Sequence, residues 1–68
     1  MSHELTRRLW DSARDSAYRN GFGPEFDQLC TEGEETLRAL RSTTGDAAKT
    51  DMLEHLTYIA RRRADLAA

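Results

Sequence analysis

Few side chains in this 68-residue chain could do chemistry: two histidines, His3 and His55, one cysteine, Cys30, and the carboxylates crowded between Glu25 and Glu35. A metal site on one helix needs ligands a turn apart, as in His-x-x-x-His or Glu-x-x-His, and neither pattern occurs. A lone cysteine cannot complete a structural zinc site. As a nucleophile it would need a neighbouring base and an electropositive setting, and the residues beside Cys30 in sequence are acidic, so it reads as a structural thiol. His55 falls at the margin of an apolar stripe, where Asp51 and Tyr58, at i−4 and i+3, could hydrogen-bond it. Adjacent carboxylates such as Glu34 and Glu35 could do acid–base work only beside a concave pocket, and a chain this short is not expected to enclose one. Gly21 and Gly23 stand alone before a helix and make no phosphate-binding pattern. These readings predict no catalytic, cofactor or metal site, and hence no enzyme.

Charge is the more informative feature. The net charge is only −2, but residues 1–19 sum to +1, residues 20–36 to −5 and residues 37–68 to +2. The acidic block, EFDQLCTEGEE, carries Glu25, Asp27, Glu32, Glu34 and Glu35 with no base among them. At about 100° per residue none of these falls on the stripe formed by Phe26, Leu29, Cys30, Gly33, Leu37 and Leu40. Glu25 and Glu32 line one flank, Asp27 and Glu34 the other, and Glu35 points outward. Such an array could compete with nucleic acid for a groove lined by lysine and arginine, with an attraction that falls as salt rises. The plainer alternative is a solvated face neutralised from within, by a Glu34–Arg38 pair and by Arg8, Arg41 or Arg61–Arg63. Tyr18, an aromatic on the polar side of the first helix, suits an interface. Trp10 stands four residues before Arg14, at cation–π spacing, or belongs to the core.

The elements that hold these residues are legible from periodicity and turn chemistry. One isoleucine and no valine, with 32% charged residues, favour helix over sheet. The spacing predicts an all-α three-helix bundle in a single domain spanning residues 1–68, with helices at about 3–20, 24–41 and 47–66. Ser2 is a candidate N-cap, and Leu5, Leu9, Ala13 and Ala17 recur every fourth residue. The expected surface pairs on this helix are Arg7–Asp11 and Asp15–Arg19. Asn20-Gly21 supplies a C-cap, and Pro24 sits in the next first turn. Gly33 leaves two readings: a helix continuing through it, with bare backbone meeting Ala13, Ala17 or Trp10, or a break capped by Thr31 and Glu34. The continuous helix is preferred. After a Ser42–Gly45 loop, with Thr44 and Thr50 as competing caps, Met52, Leu56, Ile59 and Leu66 form a third stripe, widened by Leu53 and Ala60, with Arg63 inside it.

Size adds a constraint, because 68 residues bury too little surface for comfortable stability as a lone core. No signal peptide or membrane span is expected, and one cysteine fits a reducing cytoplasm. The reading is a noncatalytic protein–protein interaction module, an inhibitor or adaptor docking its acidic helix on a basic or nucleic-acid-binding protein. In size, charge and lack of chemistry it is similar in type to phage and mobile-element products such as anti-CRISPR proteins, although no motif ties it to a family. Two alternatives stand beside it. One is a small DNA-binding regulator using Arg61–Arg63, for which Asp46, Lys49, Asp51 and Glu54 make a poor recognition-helix start. The other is a self-associating bundle, a homodimer whose helices complete one another's cores.

Overall fold

The computed structural model describes residues 2–68, with side chains from Glu4 onward. The Ser2 cap and the His3 side chain lie outside what it describes. Three helices follow in order: α1 (Ser2–Arg19), α2 (Gly23–Ser42) and α3 (Asp46–Ala67). Among the described residues there is no strand, and no helix is long and apolar enough to cross a membrane.

The α1–α2 turn is a Schellman motif. Gly21 adopts a φ of 87°, where a side chain would be strained. The Phe22 amide donates to the Ala17 carbonyl at 2.8 Å and the Gly21 amide to Tyr18 at 3.1 Å. α2 restarts at once, with Pro24 in its first turn and the Phe26 amide donating back to the Phe22 carbonyl at 2.9 Å. At the far end of α2 the Thr43 hydroxyl donates to the Ala39 carbonyl at 2.7 Å. α3 begins after Gly45, with no side-chain cap. Neither Thr44 nor Thr50 caps it, and the Thr50 hydroxyl bonds instead to the Asp46 carbonyl inside the helix. Its last turn is closed from another element: the Asn20 amide donates to the carbonyls of Leu66 at 3.1 Å and Ala68 at 2.9 Å, satisfying acceptors that a helix end leaves orphaned.

The core is Ala17, Phe26, Leu29, Ile59 and Leu66, with Ala13, Cys30 and Ala67 packed against it. α2 runs unbroken through Gly33, so the capping break at Thr31 and Glu34 does not form. The side chain nearest Gly33 is Ile59 of α3, not Ala13, Ala17 or Trp10 of α1. α2 and α3 pack most extensively, and α1 meets both over less of its length.

The first helix departs most from expectation. Ala17 is fully buried and Ala13 half-buried, but Leu9 and Leu5 are 63% and 62% exposed. A row of fourth residues drifts about 40° around the helix at each step, because four residues overshoot a 3.6-residue turn. If Ala17 faces inward, Leu5 is turned roughly 120° away. Leu53, at 54% exposed, and Ala60 likewise do not widen the α3 stripe. The Cα envelope measures 40 × 29 × 15 Å, about twice as wide as it is thick, with a radius of gyration of 13.4 Å against about 11 Å for a compact domain of this length.

Candidate interaction surface

α2 carries the acidic segment, and the neighbouring helices decide which of its carboxylates keep their charge to themselves. Asp27 is clamped by α1. The Arg14 guanidinium donates to its two oxygens at 2.9 and 3.3 Å, and the Tyr18 hydroxyl donates to Oδ2. The Arg14 guanidinium also lies 5.2 Å from the centre of the Tyr18 ring. The Arg14 hydrogen bonds, then that of Tyr18, hold the Asp27 carboxyl below the usual carboxylate range, and Asp27 in turn raises the Arg14 guanidinium. Tyr18 is half-exposed, but its hydroxyl is spent inside the molecule. Its ring also packs on Gly23, where any side chain would collide with it.

Glu25 accepts from Arg62 of α3 at 3.2 Å. Glu32 lies 4.0 Å from His55 Nε2, too far for a hydrogen bond and an ion pair only when the imidazole is protonated. His55 stacks on Tyr58, ring centres 6.3 Å apart and 17° from parallel, rather than bonding to Asp51. Among the described residues no ion pair within 4 Å closes on Glu34 or Glu35, so the expected Glu34–Arg38 pair is absent. The Arg7–Asp11 and Asp15–Arg19 pairs do not form either, and Arg19 donates to Ser16 instead. The five-carboxylate face therefore reduces to Glu34 and Glu35, with Glu32 beside them while His55 is neutral.

The basic run divides in the same way. Arg62 holds Glu25, while the Arg63 guanidinium sits 4.1 Å from the centre of the Trp10 ring and 3.9 Å from the Cys30 sulfur. Arg63, not Arg14, is thus the cation over Trp10. Cys30 is half-buried with a guanidinium beside it in space, contrary to the acidic setting read from its sequence neighbours. Arg61 is exposed and makes no ion pair among the described residues.

Length argued against a concave surface, yet the fold has one. An open groove of about 830 Å³ lies between Thr6, Arg7 and Trp10 of α1, Cys30, Gly33, Glu34 and Leu37 of α2, and Leu56, Ile59 and Arg63 of α3. Its lining is mainly apolar, with Arg7 and Glu34 on opposite walls. Glu35 faces a separate shallow depression with Asp51, Met52 and His55. Cys30 lines the first of these hollows, with Glu34 on the same helix and the Arg63 guanidinium 3.9 Å from its sulfur. The signal that could have found the groove was the four-residue leucine spacing, whose drift turns the start of α1 off the core.

Comparison of the chain with protein-family models, with characterised proteins and with solved structures found no match.

Proposed function

We propose that this protein is a noncatalytic interaction module, an inhibitor or adaptor that docks the outward carboxylates of α2 on a basic surface of a nucleic-acid-handling protein. The supporting observation is that Glu34 and Glu35 remain exposed and unpaired among the described residues while Glu25 and Asp27 are drawn off by Arg62 and Arg14. Unpaired carboxylates on a rigid helix present a fixed negative potential without the cost of first breaking an internal ion pair, and such potentials steer association and set specificity. Of the residues to which the sequence points, Glu32, Glu34 and Glu35 carry the docking role, and Glu25, Asp27 and Tyr18 hold the helix in place. The DNA-binding alternative is less well supported, since two of the three arginines in its basic run are engaged within the molecule.

The test is affinity capture from the native host at low salt. The expected catch is a basic, nucleic-acid-binding protein that is released by high salt or by added nucleic acid and lost on combined Glu32→Lys, Glu34→Lys and Glu35→Lys. Capture that survives all three reversals and high salt would overturn the acidic-docking reading. A gel shift by the protein itself at low salt would favour the regulator instead.

A further inference from the structure

Arg63 carries its charge into a half-buried setting that supplies no counter-ion. Its guanidinium lies 4.1 Å from the centre of the Trp10 ring and 3.9 Å from the Cys30 sulfur, and among the described residues no carboxylate pairs with it. A guanidinium offers five N–H donors in one plane and a thiol is a weak acceptor, so a ring face and a sulfur leave most of that capacity unused. Arg62, one residue earlier, has Glu25. Cys30 borders the large groove and not the smaller hollow beside Leu9, so the Arg63 nitrogen that reaches its sulfur stands on the groove side. The charged residues lining that groove are Arg7, Arg63 and Glu34, a net charge of +1. From Arg63 to Leu56 on α3, and from Cys30 to Leu37 on α2, the walls run seven residues, about 10 Å of helix. Ile59 and Gly33 lie between, the one against the other. The groove therefore has a cationic end and an aliphatic end.

We infer that this groove binds a free alkyl monocarboxylate, its head on Arg63 and its tail running past Gly33 and Ile59 to the gap between Leu37 and Leu56. The charge complementarity carries the assignment. Arg7 and Glu34, on opposite walls, offset one another in the sum and leave Arg63 as the unbalanced cation, which one negative charge neutralises. A carboxylate suits it because its two oxygens match the donor fork of a guanidinium with two parallel hydrogen bonds. An alkyl tail suits the remainder, since Gly33, Leu37, Leu56 and Ile59 offer no side-chain donor or acceptor, and each methylene that leaves water there adds affinity. At roughly 1.3 Å of reach per carbon, from C–C bonds of about 1.5 Å, the distance from head to far wall takes about eight to ten carbons. The site calls on none of the docking carboxylates, so it does not rest on the acidic-docking reading.

Isothermal titration calorimetry of the full chain with sodium decanoate, kept below its micelle-forming concentration, tests this, with Trp10 emission to locate the ligand and circular dichroism to check the fold. The expected result is saturable binding of one decanoate per chain with a change in Trp10 emission. Butyrate, which lacks the tail, and decanol, which lacks the charge, should each bind at least about tenfold more weakly. Arg63→Leu, which keeps an apolar contact with Trp10, should weaken decanoate binding by about tenfold to a hundredfold, and Arg63→Lys, which keeps the charge but not the fork, should fall between. Leu37→Glu, at an exposed position, should weaken it as well. Arg61→Leu removes an equal charge outside the groove and should leave it unchanged. No saturable binding at millimolar decanoate overturns the proposal. Decanol binding as tightly as decanoate, or Arg61→Leu losing as much as Arg63→Leu, overturns it too, because the attraction is then grease or bulk charge alone. A peptide ending in a leucine carboxylate that binds more tightly than decanoate also overturns it, and assigns the groove to the end of another protein. Salt-sensitive capture of a basic protein would be unaffected by Arg63→Leu, which separates failure here from failure of the acidic-docking reading.

Discussion

The two ends of this molecule are built to different standards. At the end formed by the α1–α2 turn and the C-terminal part of α3, Ala17, Phe26, Leu29 and Leu66 are buried, the turn is a Schellman motif, Asn20 closes the last turn of α3, and Arg14 and Arg62 tie α2 to its neighbours. At the other end Leu5, Leu37 and Leu53 face solvent. Composition alone does not account for the contrast, since the α1 row has its larger side chains, Leu5 and Leu9, at the open end and Ala13 and Ala17 at the closed one. Small residues decide it: Ala13, Ala17 and Gly23 let α1 and α2 approach at one end, while at the other the row on α1 has rotated out of the interface.

The comparison breaks most readily at the closed end. Phe26→Ala should cost about 3–5 kcal/mol in urea denaturation, enough to unfold much of the population, whereas Leu53→Ala should stay within about 0.5 kcal/mol. Equal losses would mean that the two ends share one core after all. Gly23→Ala comes next. Its methyl group would overlap the Tyr18 ring, and relieving that overlap should cost about 1–3 kcal/mol in the same denaturation and release Tyr18 from Asp27. Gly33→Ala acts in the opposite direction. The added carbon would lie 3.7 Å from Ile59, an ordinary contact, so the gain in helix propensity should raise stability by about 0.5–1 kcal/mol.

The smallest effect is in the acid limb. Asp27 titrates below its ordinary value because Arg14 and Tyr18 bond to its ionised form. Its contribution is therefore fully present above the unfolded carboxylate range near pH ~4 and is lost as pH falls through the lower folded value. Asp27→Asn should flatten that part of the stability–pH curve and leave the neutral-to-alkaline part parallel. An unchanged acid limb would mean that the clamp forms without stabilising the fold.

Much of this was legible beforehand. The Asn20-Gly21 break, Pro24 and the α2 stripe of Phe26, Leu29, Cys30, Gly33, Leu37 and Leu40 follow from turn chemistry and a 3.6-residue period; the break and Pro24 appear in the structure, and the stripe is buried as far as Gly33 but open at Leu37, which is 46% exposed. What the sequence left open were pairings between helices. Arg14 and Arg62 reach Asp27 and Glu25 from 13 and 37 residues away, and no pattern within one helix says which of several arginines will arrive. The same holds for Arg63 over Trp10, where the nearer Arg14 had the better local spacing. Periodicity identifies a face; the crossing of the helices then decides which carboxylates on it remain unpaired.

Trp10 is the sole tryptophan, and it lies under a guanidinium that belongs to α3. An indole is a fluorophore whose emission follows the polarity and quenchers around it, and this one sits at the seam where α1 joins the other helices rather than among Phe26, Ile59 and Leu66. Its emission therefore reports whether the first helix is still seated against the remaining pair. An observer with only a fluorimeter could follow the parting of that seam separately from the melting of the core.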